Sequence, residues 1–346
     1  MNNHHPIVQL ILANIRGYLR EPEAIFWTYG FPLLMVVGLG IAFDTSKPNP
    51  VLVDVVQGPG SGRIIEALSG NDFFRIHPES EADAMQRLRR NRTQIVAKLD
   101  SRGVCEYYFD PSNPDARTAR AALDDALQKA WGRQDPLSVN DRRQTVPGAR
   151  YVDFLVPGLI GMNLMGGGMW GVGFMLVDMR IKKLLKRMLG TPMKRPQLLL
   201  ATIGTRAFFF IPEMFVLLLT AHWIFGVPVQ GSIVDIVIIA LIGSLSFAGL
   251  GLLAASRAQR IESITGILNL TMFPMWLCSG IFFSADRFPA AMQPFVQALP
   301  LTQLINALRA VILEGVALPS QTLPILVLTA WGGVSFLLAL KLFRWN

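Results

Sequence analysis

Arg206 and Glu213 interrupt an otherwise apolar stretch, 198 to 225. Charges at membrane depth are costly, so they usually face a bundle interior or a water-filled path. Seven residues apart on a helix, the two share a face but stand about 10.5 Å apart along its axis. That spacing predicts partners on other helices or on a second subunit rather than direct pairing, in a structural, gating or substrate-contact role. A second concentration of chemistry is MRIKKLLKRMLGTPMKRP, 179 to 196. Here Lys182, Lys183, Lys186 and Arg187 surround Leu184, Leu185 and Met188 at helical spacing, and Thr191 and Pro192 close the segment. A basic amphipathic turn of this kind suits either anionic lipid or a docked protein.

Other constellations are missing from the sequence. There is no phosphate loop of the form G-x-x-x-x-G-K followed by Ser or Thr, no Cys-x-x-Cys, no H-E-x-x-H and no G-x-S-x-G elbow. The four histidines, His4, His5, His77 and His222, are scattered, so no metal site is expected, and Cys105 and Cys278 make no disulfide framework. The chain is therefore not expected to be an enzyme or to hold a cofactor of its own. The net charge of +8 sits beside apolar segments rather than on a soluble basic face, which argues against nucleic acid and for membrane topology.

The elements that must position these residues follow from the charge distribution. Of 346 residues, 51% are apolar and only 16% charged, and 31 of the 56 charges fall between 44 and 150. One polar, nearly neutral segment is thus set inside a greasy chain. Spanning a hydrocarbon core takes about 20 mostly apolar helical residues. Segments 24 to 43, 154 to 177, 198 to 225, 236 to 256, 263 to 285 and 322 to 340 qualify, giving a polytopic α-helical membrane protein with six transmembrane helices. Basic residues cluster in alternate flanks: Arg16 and Arg20, then the seven between 180 and 195, then Arg257 and Arg260, then Lys341 and Arg344. The positive-inside bias then puts both termini in the cytoplasm and 44 to 150 outside. Residues 286 to 315 carry Pro289, Pro294 and Pro300 with several amides and read as an exterior re-entrant or interfacial hairpin.

Within 44 to 150, VLVDVV (51 to 56), TQIVAKLD (93 to 100) and CEYYFD (105 to 110) predict strands, and GRIIEALSG and the Ala-rich run after Pro114 predict helices. A small exterior α/β domain between the first two spans results. Residues 1 to 23 place Ile7, Leu10, Ile11, Ile15, Tyr18 and Leu19 on one helical face, an interfacial amphipathic helix. Gly167 and Gly171, four apart in the second span, allow close helix packing inside the bundle or across a dimer.

Taken in order, several segments resemble the permease subunits of the ABC-2 type, the membrane halves of ATP-binding cassette exporters. REPEAIFWTYGFPLLMVVGLGIAF is similar to the family's basic elbow and first span, KKLLKRMLGTPMKRPQLLLA to its cytoplasmic loop with the Thr191-Pro192 turn, and FGVPVQGS (225 to 232) to its link between spans three and four. LCSGIFFSADRFPAAMQPFVQALPLTQLINALRAVILEG (277 to 315) is similar to its fifth span and outside hairpin, with Gly280, Pro289, Pro300, Arg309 and Gly315 in the family's places.

The resemblance implies a dimer, of two copies or two related chains, in a bacterial cytoplasmic (inner) membrane. A separate ATPase subunit, which would bind ATP and Mg, drives it, and the loop 179 to 196 docks on that subunit. It also implies export, of an amphipathic or lipid-like substrate such as a drug or antibiotic. A membrane-anchored sensor or scaffold, whose exterior domain binds a ligand or partner, is the alternative that the residues alone leave open.

Overall fold

The computed structural model describes residues 11–12, 15–43, 50–100, 103–137, 139, 148, 150–189 and 195–342. The chain divides into two compact units, Thr45–Gln144 and the remainder, Met1–Asp44 with Thr145–Asn346.

The larger unit is helical. Helix α1 runs through Pro22–Ile25, a π-helical turn Phe26–Gly30 and Phe31–Ala42. In the smaller unit, strand β1 (Val51–Val56), helix α2 (Ser61–Leu68), strand β2 (Phe74–Glu79), helix α3 (Glu81–Arg89), strands β3 (Ile95–Leu99) and β4 (Cys105–Tyr108) and helix α4 (Pro114–Ala130) follow. The larger unit resumes with α5, which is Tyr151–Met169 continued by a π-helical turn Trp170–Phe174 and by Met175–Ile181. Then come α6 (Leu184–Leu189), α7 (Arg195–Phe225), α8 (Ile233–Ala255), α9 (Ile261–Cys278), α10 (Gln293–Ala298), α11 (Pro300–Glu314) and α12 (Thr322–Leu342).

Among the described residues, five helices are long and apolar enough to cross a membrane: Tyr151–Ile181, Ala201–Phe225, Ile233–Ala255, Ile261–Cys278 and Thr322–Leu342. The expected first span is represented by a shorter apolar helix, Phe26–Ala42, because Phe43 already leaves helical geometry at φ −110°. Helix α8 lies at the centre, packed against α5, α11 and α12. Its glycines make that possible: a Cβ on Gly251 would lie 2.8 Å from the Gly168 carbonyl oxygen of α5, and one on Gly249 would lie 3.0 Å from the Gly332 oxygen of α12. Backbones that touch leave no room for side chains between them.

The segment expected to be a hairpin, 286 to 315, forms a turn Ala285–Arg287, then α10 and α11. Pro300 begins α11 at a position where its missing N–H costs nothing. Gly315 ends it in the left-handed region at φ 69°, which a Cβ would disfavour. Leu301, Leu304, Ile305 and Leu308 of α11 are fully buried in the helical core.

The smaller unit has a four-stranded sheet in the order β2-β1-β3-β4, with β1 parallel to β2 and β3, and β4 antiparallel to β3. Val53, Val55, Ile95 and Ala97 pack on one face against Ile64 and Leu68 of α2 and Leu123 and Leu127 of α4. Val56 and Val96 face the other way, against Ala84 of α3. Helices on both faces make this a small doubly wound sheet. Strand β2 and helix α3 are additions to the elements legible in the sequence.

Candidate functional site

Three arrangements in the helical unit involve the residues singled out above. The first is the intramembrane pair. Arg206 Nη2 donates to Glu213 Oε2 at 2.8 Å and to Oε1 at 3.2 Å, with the two side chains only 10% and 3% exposed. The expectation that they would be too far apart to pair is overturned. Two helical turns separate their backbones, but the Arg206 side chain lies along a groove that α5 opens beside α7. A Cβ on Gly167 would stand 1.5 Å from Arg206 Nη2, and one on Gly171 would stand 3.6 Å from its Cδ. These two glycines therefore seat an arginine of the same chain. Nearby, Asn163 of α5 donates from Nδ2 to the Thr28 carbonyl of α1 at 3.1 Å, and the Tyr18 and Phe209 rings meet in a tilted contact at 4.2 Å between centroids. The pair thus lies where α1, α5 and α7 meet. Burying two charges is tolerable only when each satisfies the other, so breaking either side leaves an uncompensated ion.

The second arrangement is the basic turn between α5 and α7. Lys182 and Lys183 leave the helix, Lys183 with a positive φ of 57°, and α6 begins at Leu184. Lys182, Lys183 and Arg187 are exposed, with Lys182 paired to Asp178 at 2.8 Å. Leu185 is 1% exposed and belongs to the helical core, so it is not available as the apolar contact expected of it. Leu184 is half-buried. Thr191 and Pro192 lie outside the described residues, as do the side chains of Lys186 and Met188. Residues 15–18 are helical, with Leu19 exposed, and Ile7 and Leu10 of the expected amphipathic face lie outside the described residues.

The third is the lock on α11. Arg309 Cζ lies 3.6 Å from the centroid of the Phe154 ring, close enough for a cation–π contact. Its Nη2 donates to the Phe154 carbonyl at 3.1 Å and also to the Gly280 carbonyl. Gly280 has φ 81°, which lets the chain leave α9 and turn its carbonyl toward Arg309. One side chain therefore ties α11 to α5 and to the end of α9. Pro289 accepts a turn bond from the Met292 N–H at 2.8 Å.

A model of the family described as ABC-2 family transporter protein matches residues 22–341. The chain belongs to the ABC-2 transporter family. It is similar to the probable multidrug ABC transporter permease YbhS of Escherichia coli, 21% identical over 341 residues and 88% of each chain. It is also similar to ABC transporter G family member 20 of Dictyostelium discoideum, 25% identical over 323 residues, which are 85% of this chain and 44% of that one. Linearmycin resistance permease protein LnrN of Bacillus subtilis matches over 129 residues at 26% identity, 37% of this chain and 33% of that one. As an ABC-2 permease the chain is a multi-pass membrane transport subunit, and the family implies an ATP-binding cassette ATPase as its partner.

Two arginines of this ABC-2 chain have structural roles that sequence reasoning missed. Arg150 pairs with Asp153 at 2.8 Å and donates to the Phe225 and Gly226 carbonyls at the end of α7. Arg180 donates to the Ala255 carbonyl at 2.9 Å and to that of Ala258, at the end of α8. Cations at helix C-termini satisfy orphan carbonyls and complement the dipole. The signal legible in the sequence is an arginine at each end of one span, Arg150 and Arg180. In the smaller unit, Arg87 donates to the buried Asp54 at 2.8 Å, and this bond holds the guanidinium above its ordinary pKa. Among the described residues, no group of three or more His, Cys, Asp or Glu could hold a metal ion.

Proposed function

We propose that this chain is the permease half of an ABC exporter in a bacterial inner membrane. It works as a homo- or heterodimer powered by a separate ATPase that binds ATP and Mg. In this reading α1 completes a set of six spans, both termini are cytoplasmic, and Thr45–Gln144 is exterior. The transported compound is amphipathic or lipid-like, such as a drug or antibiotic; relatives named as a multidrug permease and a linearmycin resistance permease support the drug or antibiotic part of this reading.

The observation that carries the reading is the exposed basic turn at Lys182, Lys183 and Arg187, set between α5 and α7. It sits at the cytoplasmic end that the positive-inside rule assigns, while Leu185 anchors it in the bundle. A push on the turn is thereby transmitted to α5 and α7, which carry the Gly167 and Arg206–Glu213 contact. Rigid-body tilting of packed helices around such a contact is an established way to alternate access.

The test is purification of the tagged protein from its native membrane in mild detergent, with co-purifying chains identified by mass spectrometry. An ATPase carrying a phosphate-loop sequence, at one copy per permease, is expected. An intact dimer that brings down no ATPase under any gentle condition would overturn the proposal and favour a sensor or scaffold role.

A further inference from the structure

The smaller unit carries four arginines that its own fold leaves unpaired. Arg75, Arg89, Arg90 and Arg92 are exposed, and among the described residues none of their side chains makes a hydrogen bond or an ion pair. By contrast, Arg87 binds Asp54, Lys98 binds Glu81, and Lys129 and Arg133 bind Asp125. The topology gathers the four at one end of the sheet. Arg75 sits on β2 opposite Leu52 of β1, and Leu52 exchanges bonds with Gln94, just before β3. Arg89 ends α3, which returns the chain from the carboxyl end of β2 to the amino end of β3, and Arg90 and Arg92 fall in the turn that follows. That turn is fixed. Asn91 has φ 53°, its N–H donates to the Leu88 carbonyl at 3.0 Å, and the Arg92 N–H donates to that of Arg87 at 2.9 Å, the two bonds of a Schellman motif.

Basic residues at a helix C-terminus complement its dipole, which accounts for Arg89 and Arg90 but not for Arg75 on a strand or Arg92 beyond the turn. The balance at this end is positive. Four arginines stand against Asp72, in the loop before β2, while Asp110, after β4, is taken up by Ser112. Phe73, in the same loop as Asp72, is 39% exposed. All four cations are arginines, whose planar fork matches phosphate through two parallel bonds. The chain also enters the unit at this end: β1 starts at Val51, and residues 43 to 50 alone separate it from the apolar helix that ends at Ala42. Fully extended, that link reaches about 30 Å at most.

We infer that this end of the smaller unit binds an anionic phospholipid surface, with the four guanidinia on lipid phosphates and the Phe73 ring in the headgroup layer. The inference rests on the reading of α1 as a membrane span, which keeps the patch within reach of the bilayer. Each basic residue near such a surface strengthens the contact about fivefold, and an exposed ring among them adds apolar contact. Held in this way, the unit turns the carboxyl ends of its parallel strands away from the bilayer.

The test places the full-length protein in nanodiscs of phosphatidylcholine, alone or with a third of it replaced by phosphatidylglycerol, and follows backbone hydrogen exchange by mass spectrometry. Phosphatidylglycerol is expected to slow exchange at 71–75 and 88–94, and about 1 M salt, where the Debye length is about 3 Å, to remove the effect. Arg89→Gln combined with Arg92→Gln should bring exchange near the phosphatidylcholine level, since each lost guanidinium weakens the contact about fivefold. Retained protection of β1 and β3 checks that the variant is folded. Equal exchange in the two lipid compositions would overturn the inference. So would protection by soluble glycerol phosphate equal to that by the lipid, which would assign the patch to a free phosphate. Protection by polyglutamate in phosphatidylcholine, with none from phosphatidylglycerol, would overturn it in favour of an acidic protein. Free exchange along Phe26–Ala42 would strike the span reading itself, and the inference with it. ATPase co-purification is a separate readout, so failure at the patch alone leaves the permease reading untouched.

Discussion

The guanidinium of Arg206 occupies the space that a side chain on Gly167 would need, 1.5 Å from the position of its Cβ. Glycine at 167 is therefore a condition for the ion pair with Glu213 rather than a generic packing residue. Gly167→Ala would push the guanidinium out of the groove and leave Glu213 buried and unpaired. We expect a loss on the order of 3–5 kcal/mol, read as a large fall in the thermal midpoint of the detergent-solubilised protein. Gly171→Ala is the control, since its Cβ would stand at van der Waals distance, 3.6 Å from Arg206 Cδ. Equal effects at 167 and 171 would show that the groove is not what seats Arg206.

The same pair makes a second, non-additive prediction. Arg206→Leu or Glu213→Leu alone should be strongly destabilising, because each strands one buried charge. The double replacement should recover most of that loss, since well-packed apolar groups often match or exceed a buried pair in stability. A double-mutant cycle on thermal midpoints measures the coupling. Additive losses would mean the two charges do not depend on each other.

Arg309 ties three helices through one guanidinium, so its removal should loosen a defined region. Arg309→Leu keeps bulk but loses the Phe154 contact and both carbonyl bonds. Hydrogen exchange should rise at 280–292 and at the start of α11 while the centre of α8 stays protected. Arg309→Lys should rescue little, because an ammonium lacks the planar fork that stacks on a ring and reaches two acceptors. Unchanged exchange at 280–292 would remove the lock from the account of this hairpin.

How much of this was legible beforehand differs by element. The spans stand out because runs such as 236 to 256 carry no charge at all, and the apolar solvent leaves helices little alternative. Strands β1, β3 and β4 and helices α2 and α4 were equally plain. Strand β2 was not, because FRIHPE mixes Arg75, His77, Pro78 and Glu79 and lacks a β-branched run. A usable sign lay just after it: Ser80 accepts from the Asp83 N–H as the cap of α3. The Arg206–Glu213 bond was hidden for another reason. Axial spacing within α7 was visible, but the groove that makes the reach possible belongs to α5, and tertiary neighbours are not written in a local pattern.

Acid should weaken the smaller unit through its exposed carboxylates. Bonds from Lys129 and Arg133 hold Asp125 below its ordinary pKa, Asp135 is lowered by the same two cations, and Asp110 is lowered by Ser112. A carboxylate lowered in the folded state contributes stability above its unfolded pKa and loses it as pH falls through the folded value. Protection of α4 against hydrogen exchange should therefore be level from neutral pH down to about 4 and decline below it. Asp125→Asn with Asp135→Asn should flatten that decline. The groups are exposed, so the effect is small in size; a decline of the same depth in the double variant would assign the acid sensitivity elsewhere.

In the proposed reading the basic turn separates coupling from folding at adjacent residues. Lys182, Lys183 and Arg187 are exposed, so replacing them, together with Lys186, by Gln should leave membrane insertion and thermal stability nearly unchanged; surface substitutions usually cost within about 0.5 kcal/mol. The same variant should lose most of its association with the ATPase, or hydrolyse without transport, because the removed charges are the ones proposed to meet the partner. Leu185 makes the opposite case. It is buried in the helical core, so Leu185→Ala should cost about 2–5 kcal/mol of stability, while any ATPase that still binds should bind the same basic surface. Measuring thermal midpoint and ATPase co-purification on both variants distinguishes the two effects. If the Gln variant keeps full coupling, the turn serves orientation and lipid contact alone, and the docking surface for the ATPase must be sought on another cytoplasmic segment.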